Sequence, residues 1–115
     1  MKDFRDLEVW KKAHMVALET YRATRKLPSS EGFGMTYQLR RAATSVASKI
    51  AEGCGRDSNV EFGIELRRAK AASSELEYLL LLARDLEYFG AEEHEHLTEQ
   101  VVEVRKIISG LLRKL

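Results

Sequence analysis

Apolar residues recur at intervals of three and four through four stretches of the chain, and turn-forming residues separate those stretches, so the pattern predicts four helices. The first helix is expected from about Leu7 to Lys26. Leu7, Trp10, His14, Ala17, Tyr21 and Thr24 form one stripe, and Val9, Ala13, Val16 and Leu18 widen it beyond what a single neighbour covers. Leu27 to Gly34 (LPSSEGFG) holds the only proline, two serines and two glycines. Proline removes a backbone donor and glycine loosens the chain, so this is the longest loop.

The second helix, about residues 35–52, carries Met35, Leu39, Ala42, Ala43, Val46, Ala47, Ile50 and Ala51 on one side. That stripe is rich in alanine and lets a neighbouring backbone come close. Gly53 and Gly55 follow as left-handed stop positions. Ser58 with Glu61 three residues later has capping-box spacing and starts a third helix, expected over 59–89. Its stripe is Phe62, Leu66, Ala69, Ser73, Leu76, Leu80 and Ala83, and Gly90 is expected to close it. The fourth helix, about 92–114, opens on Glu92, Glu93 and Glu95 and closes on Arg113 and Lys114, charges that suit the two poles of a helix dipole. Its seam is Leu97, Val101, Val104, Ile108, Leu111 and Leu115. No strand-like alternation competes. The expected fold is all-α, an antiparallel up-down-up-down four-helix bundle, with residues 1–115 forming a single domain.

Composition narrows the functional classes. A chain of 115 residues buries roughly two-thirds of its unfolded surface, enough for one core without metals or disulfides. Nineteen basic and eighteen acidic residues leave a net charge of +1, which excludes a polycation that coats nucleic acid through its total charge. Cys54 is the only cysteine, so no intrachain disulfide forms and a reducing, cytoplasmic setting is expected. The opening MKDFRDLEVW lacks a signal-peptide apolar run, and the longest unbroken apolar stretch, Leu79 to Ala83, is far short of a membrane span.

Candidate chemistry is sparse. His94 and His96 flank Glu95, but residues two apart on a helix point in different directions. Glu92 with His96 is the better-spaced pair, and a metal needs three or four convergent ligands, so no metal site is expected. His14 lies on the stripe of the first helix, the usual place for a partly buried histidine with one hydrogen-bond partner. Cys54 stands between glycines with no base at motif spacing. There is no phosphate-binding loop, dinucleotide fingerprint, zincin helix or nucleophile elbow. Neither catalysis nor a cofactor nor a small-molecule substrate is expected.

Charge is instead polarised along the chain. Arg22, Arg25, Lys26, Arg40, Arg41, Lys49 and Arg56 face only Glu31 and Glu52 in that stretch, whereas residues 85–103 hold seven acids and no lysine or arginine. Three readings stay open: solvated faces, a basic surface for RNA or DNA phosphates formed by those seven residues, and self-complementarity between copies in a closed ring.

DLEVWKKA at Asp6 to Ala13, FGMTYQLRRAATSVASKIAEGCGR at Phe33 to Arg56, EF at Glu61 and Phe62, and SSELEYLLLLARDLEYF at Ser73 to Phe89 cover most of the chain in order. In these segments the chain resembles the four-helix bundle proteins encoded in intervening sequences of bacterial 23S ribosomal RNA genes. The resemblance implies a homopentamer. It also implies kinship with the accessory variability proteins of diversity-generating retroelements, similar pentameric bundles that partner nucleic acid and a reverse transcriptase. Family-like positions are Trp10, Arg40, Arg41, Glu52, Gly53, Arg56, Glu61, Phe62 and Glu75. Of these, Trp10, Glu52, Gly53, Glu61, Phe62 and Glu75 are expected to be assembly or structural residues. The chain departs from the family's SIPSNIAEG at Ser45 to Gly53, with Ala47 for proline and Lys49 for asparagine, and carries Arg67, Arg68 and Lys70 where relatives are more apolar. Its acidic fourth helix makes it less basic than the retroelement proteins.

Overall fold

In the computed structural model, residues 3–115 are described, so Met1 and Lys2 of the opening segment lie outside them. The helices are α1 (Glu8–Thr24), α2 (Met35–Cys54), α3 (Asn59–Asp85) and α4 (Ala91–Arg113). Each packs on its sequence neighbour, α1 also packs on α4, and neither diagonal pair approaches closely. The helices therefore stand at the corners of a square and run alternately up and down, in a body of 43 × 23 × 20 Å. This is the all-α antiparallel bundle that the periodicity predicts, with no strand among the described residues.

Its core brings the expected stripes of α2, α3 and α4 against a different face of α1 from the stripe expected there: Val9, Ala13, Val16, Thr20 and Thr24 are buried, whereas Leu7, Trp10 and Ala17 are half-buried and His14 and Tyr21 exposed. Leu39, Ile50, Leu66, Leu76, Leu80 and Ile108 are its largest fully buried side chains. The broadest pairing is α2 with α3, and both helices bury small side chains, Ala42, Ala43 and Ala47 on α2 and Ala69 and Ser73 on α3. At the foot of this pair the helices come so close that a Cβ on Gly53 would lie 2.8 Å from Phe62 Cδ1 and 3.2 Å from Glu65 Cβ.

That close approach corrects the reading of Gly53 as a stop. The helix runs through it to Cys54, Gly55 caps it at φ −85°, and no described glycine has positive φ. The other end of α3 differs too, because the helix stops at Asp85 rather than reaching residue 89. Glu87 turns left-handed at φ 68°. Its N–H donates to the Arg84 carbonyl and that of Tyr88 to the Ala83 carbonyl, both at 2.9 Å, which is a Schellman closure with glutamate in the position glycine usually takes. Phe89 is thereby folded back into the core, and Gly90 becomes the N-cap of α4.

Local capping explains the remaining boundaries. Glu61 N–H donates to Ser58 Oγ at 3.2 Å; the reciprocal bond of the capping box does not form among the described residues. Before α1, a 3-10 turn at Phe4–Asp6 sets Phe4 edge-on to Trp10, with ring centres 4.8 Å apart. Trp10 in turn stacks on His14 at 4.9 Å. His14 is exposed, contrary to its expected partial burial, because α1 turns Val9, Ala13, Val16 and Thr20 into the core and leaves His14 outward. The α1–α2 loop is pinned by Glu31, whose carboxylate accepts the Met35 N–H at 2.9 Å and the Tyr88 hydroxyl at 2.7 Å. Those two donors hold the Glu31 carboxyl below the ordinary glutamate range, the backbone N–H contributing most.

Candidate functional site

The most highly organised polar group lies beside Gly53, at the α2–α3 turn. Glu65 is only 2% exposed, yet Arg56 Nη2 stands 2.8 Å from one of its oxygens and Arg68 Nη1 3.0 Å from the other. The Arg56 hydrogen bond is the main reason its carboxyl titrates below the usual range, overcoming burial, which pushes the other way. With each oxygen hydrogen-bonded to an arginine, the group ties α3 to the turn. Glu65 was not among the residues singled out from the sequence. Its signal was a glutamate at a core position, between Phe62 and Ala69 in the three-four stripe, with an arginine three residues on.

The seven basic residues do not form one patch. Arg41 pairs with Glu75 across α2 and α3 at 2.8 Å. Lys49 pairs with Glu52 one turn along α2 at 3.1 Å, and Lys26 with Glu93 across α1 and α4. Arg40 donates from Nε to Thr24 Oγ1 at 2.9 Å and from Nη2 to the Tyr21 carbonyl at 3.3 Å, and it lies 4.6 Å over the Tyr21 ring. It therefore joins the end of α1 to α2. Arg22 and Arg25 are exposed and in no ion pair among the described residues. Arg56 lies just past Cys54, fourteen residues of helix or roughly 21 Å from Arg40.

Two of the five acids of α4 are also met within the chain: Glu103 by Lys12 at 2.9 Å and Glu93 by Lys26. His96 turns to Glu19 at 3.2 Å rather than to Glu92, while His94 meets Thr98 at 3.3 Å. No cluster of three or more His, Cys, Asp or Glu among the described residues is arranged to hold a metal. Of the family-like positions, Gly53 and Phe62 form the close contact of α2 with α3, Trp10 is half-buried, and Glu52, Glu61 and Glu75 are exposed at or beside that same pair of helices.

Two outer surfaces carry exposed apolar or aromatic side chains. α3 exposes apolar residues on the side opposite its core stripe, interrupted by Arg67 and Ser74. Val60, Ile64 and Tyr78 are 75, 43 and 59% exposed, and Ala71, also exposed, stands between the last two at helical spacing. The other is a groove along α1 and α2, lined by Tyr21, Tyr37, Arg40 and Arg41 together with Gly32 and four Ser/Thr hydroxyls of α2, and by no carboxylate.

No helix among the described residues is long and apolar enough to cross a membrane. No curated protein matches the sequence. A solved structure from Bacteroides thetaiotaomicron, described as a protein with unknown function from the S23 ribosomal protein family, superposes with a TM-score of 0.81 at 25% identity, covering 90% of this chain and 97% of that one. The family described as 23S rRNA-intervening sequence protein matches residues 5–110, a span that takes in α1 to α3 and most of α4. The chain therefore belongs to the 23S rRNA-intervening sequence protein family.

Proposed function

We propose that this chain is a non-enzymatic, cytoplasmic bundle that assembles with copies of itself into a closed ring and serves as a binding scaffold. Its carrying observation is the two-faced α3. A helix in an isolated bundle needs one apolar stripe, and the second, interrupted stripe of Val60, Ile64, Ala71 and Tyr78 is what a heterologous contact between copies would cover. Five copies is the number the resemblance to the pentameric bundles implies. Two kinds of observation support the non-enzymatic half: the buried carboxylate Glu65 has both oxygens committed to arginines, and the histidines and α4 acids described above are spent on single partners. The proposal includes no cofactor and no small-molecule substrate.

Sedimentation of the purified chain tests it. The expected mass is a closed multiple of the monomer, and Ile64→Glu with Tyr78→Glu is expected to yield monomers of unchanged helical circular dichroism. A wild-type chain that sediments as a monomer at tens of micromolar overturns it.

A second reading, an RNA- or DNA-binding accessory factor acting with a ribosomal RNA intervening sequence or a reverse transcriptase, is favoured by the carboxylate-free α1–α2 groove. The cations that line this groove are Arg40 and Arg41; Arg25 is exposed outside the lining, and Arg22 lies between α1 and α4 beside Glu19 and Glu93. Lys26, Lys49 and Arg56 are engaged elsewhere in the chain.

A further inference from the structure

We infer that the α1–α2 groove is a site for single-stranded nucleic acid, in which Tyr21, Phe33 and Tyr37 stack on bases while Arg40 and Arg41 meet phosphates. This rests on the nucleic-acid reading and narrows it to one strand state and one set of side chains.

The groove's composition is the first argument. A chain with eighteen acids places none of them along this lining, which instead offers two guanidinium groups, two phenols and a row of hydroxyls. Those are the donors that proteins direct at phosphate and sugar oxygens. Arg40 is already held: its bonds to Thr24 and Tyr21 use two N–H groups, leaving three of the five a guanidinium carries. Arg41 is half exposed in its pair with Glu75, an exchangeable contact worth under ~1 kcal/mol that a phosphate can displace.

The aromatic residues are the second argument. Tyr21 and Tyr37 are 43 and 54% exposed, and Phe33 is 99% exposed. Phe33 thus makes almost no contact with its own chain, and its neighbour Gly32 lines the groove. The loop presenting it is nevertheless fixed by the two bonds of Glu31, and a Cβ at Gly34 would collide with the Glu31 carboxylate. A fully exposed phenylalanine on a pinned loop, one residue from the lining of a cationic groove, offers a ring face for base stacking with little backbone ordering upon binding. Duplex bases are already stacked on each other, so aromatic platforms select unpaired strands.

The test is fluorescence anisotropy of the full chain with a labelled oligo(dT) or oligo(U) of about twenty nucleotides, long enough for a site of this kind, against a duplex of equal length. Tighter binding of the single strand, weakening linearly in log salt, is expected. Phe33→Ala and Tyr37→Ala should each weaken it about 5- to 100-fold, as loss of one base stack does, with Tyr37→Phe retaining most of the affinity. Equal affinity for duplex, or no effect of the aromatic substitutions, overturns the inference and leaves the nucleic-acid reading standing. Absence of binding to either probe at low salt overturns both. If Phe33→Ala lowers the oligomer mass and leaves affinity unchanged, the groove is a contact between copies and the inference falls.

Discussion

At the scale of single residues, the family-like glycine and arginine near the α2–α3 turn are explained by packing and charge within one chain. Gly53 lets α2 and α3 touch, and a methyl group there would press on the Phe62 ring and the Glu65 stem. Gly53→Ala gains helix propensity of up to ~1 kcal/mol but overpacks a tight contact at ~1–3 kcal/mol. A net loss of about 1–2 kcal/mol in urea unfolding is expected. Glu65→Ala removes a buried acid whose two arginines both reach water, so the ~3–5 kcal/mol typical of breaking a buried pair shrinks to about 2. The double change Arg56→Ala with Arg68→Ala should cost more, since it leaves a carboxylate buried and unpaired. Both Glu65 and Glu31 titrate below their ordinary values in the folded chain. Their contribution is thus present above the unfolded glutamate pKa of about 4.3 and is lost as pH falls from there through the lower folded values. Thermal melts should drop on acidification below about pH 4, and Glu65→Gln should flatten that limb. Gly53 was legible as a special position but not as a close contact, because a sequence shows where glycine stands without showing what faces it. Glu65 was legible in the same way: its place on the stripe marks it, and only the folded turn brings Arg56 to it.

At the scale of elements, all four helices could be read from periodicity, while their ends depended on contacts the pattern does not contain. The third helix ends early because Glu87 accepts a left-handed turn that returns Phe89 to the core, and no glycine announces it. The helices are also held together differently. α2 and α3 meet through alanines, glycine and buried leucines, whereas α1 and α4 meet over a narrower seam bridged by Lys12–Glu103, Lys26–Glu93 and His96–Glu19. Partly exposed ion pairs are screened by salt and apolar packing is not. Hydrogen exchange is therefore expected to be faster in α1 and α4 than in α2 and α3, and the difference should widen between 0.05 and 0.5 M salt, about a threefold shortening of the screening length. Uniform protection across the four helices, insensitive to salt, would show that the seam is not the weaker side.

At the scale of the whole molecule, the polarised charge read from the sequence has a more local meaning than its outline indicated. Part of it is matched inside one chain, by Lys26–Glu93, Lys12–Glu103, Arg41–Glu75 and Lys49–Glu52, and the surfaces proposed for partners are not the charge blocks. They are an interrupted apolar stripe on α3 and an aromatic, cationic groove on α1 and α2, which lie on different helices and would serve different partners. If the stripe is where copies meet, assembly stabilises the fold by mass action, because subunits bind the folded chain and not the unfolded one. The melting temperature should then rise with protein concentration. Each tenfold increase adds up to ~1.4 kcal/mol per contact made, a shift of a few degrees for a domain of this size. The Ile64→Glu, Tyr78→Glu chain should melt at a temperature independent of concentration, while Phe33→Ala, altered only in the groove, should keep the wild-type slope. A slope lost in the groove variant and kept in the stripe variant would exchange the roles of the two surfaces.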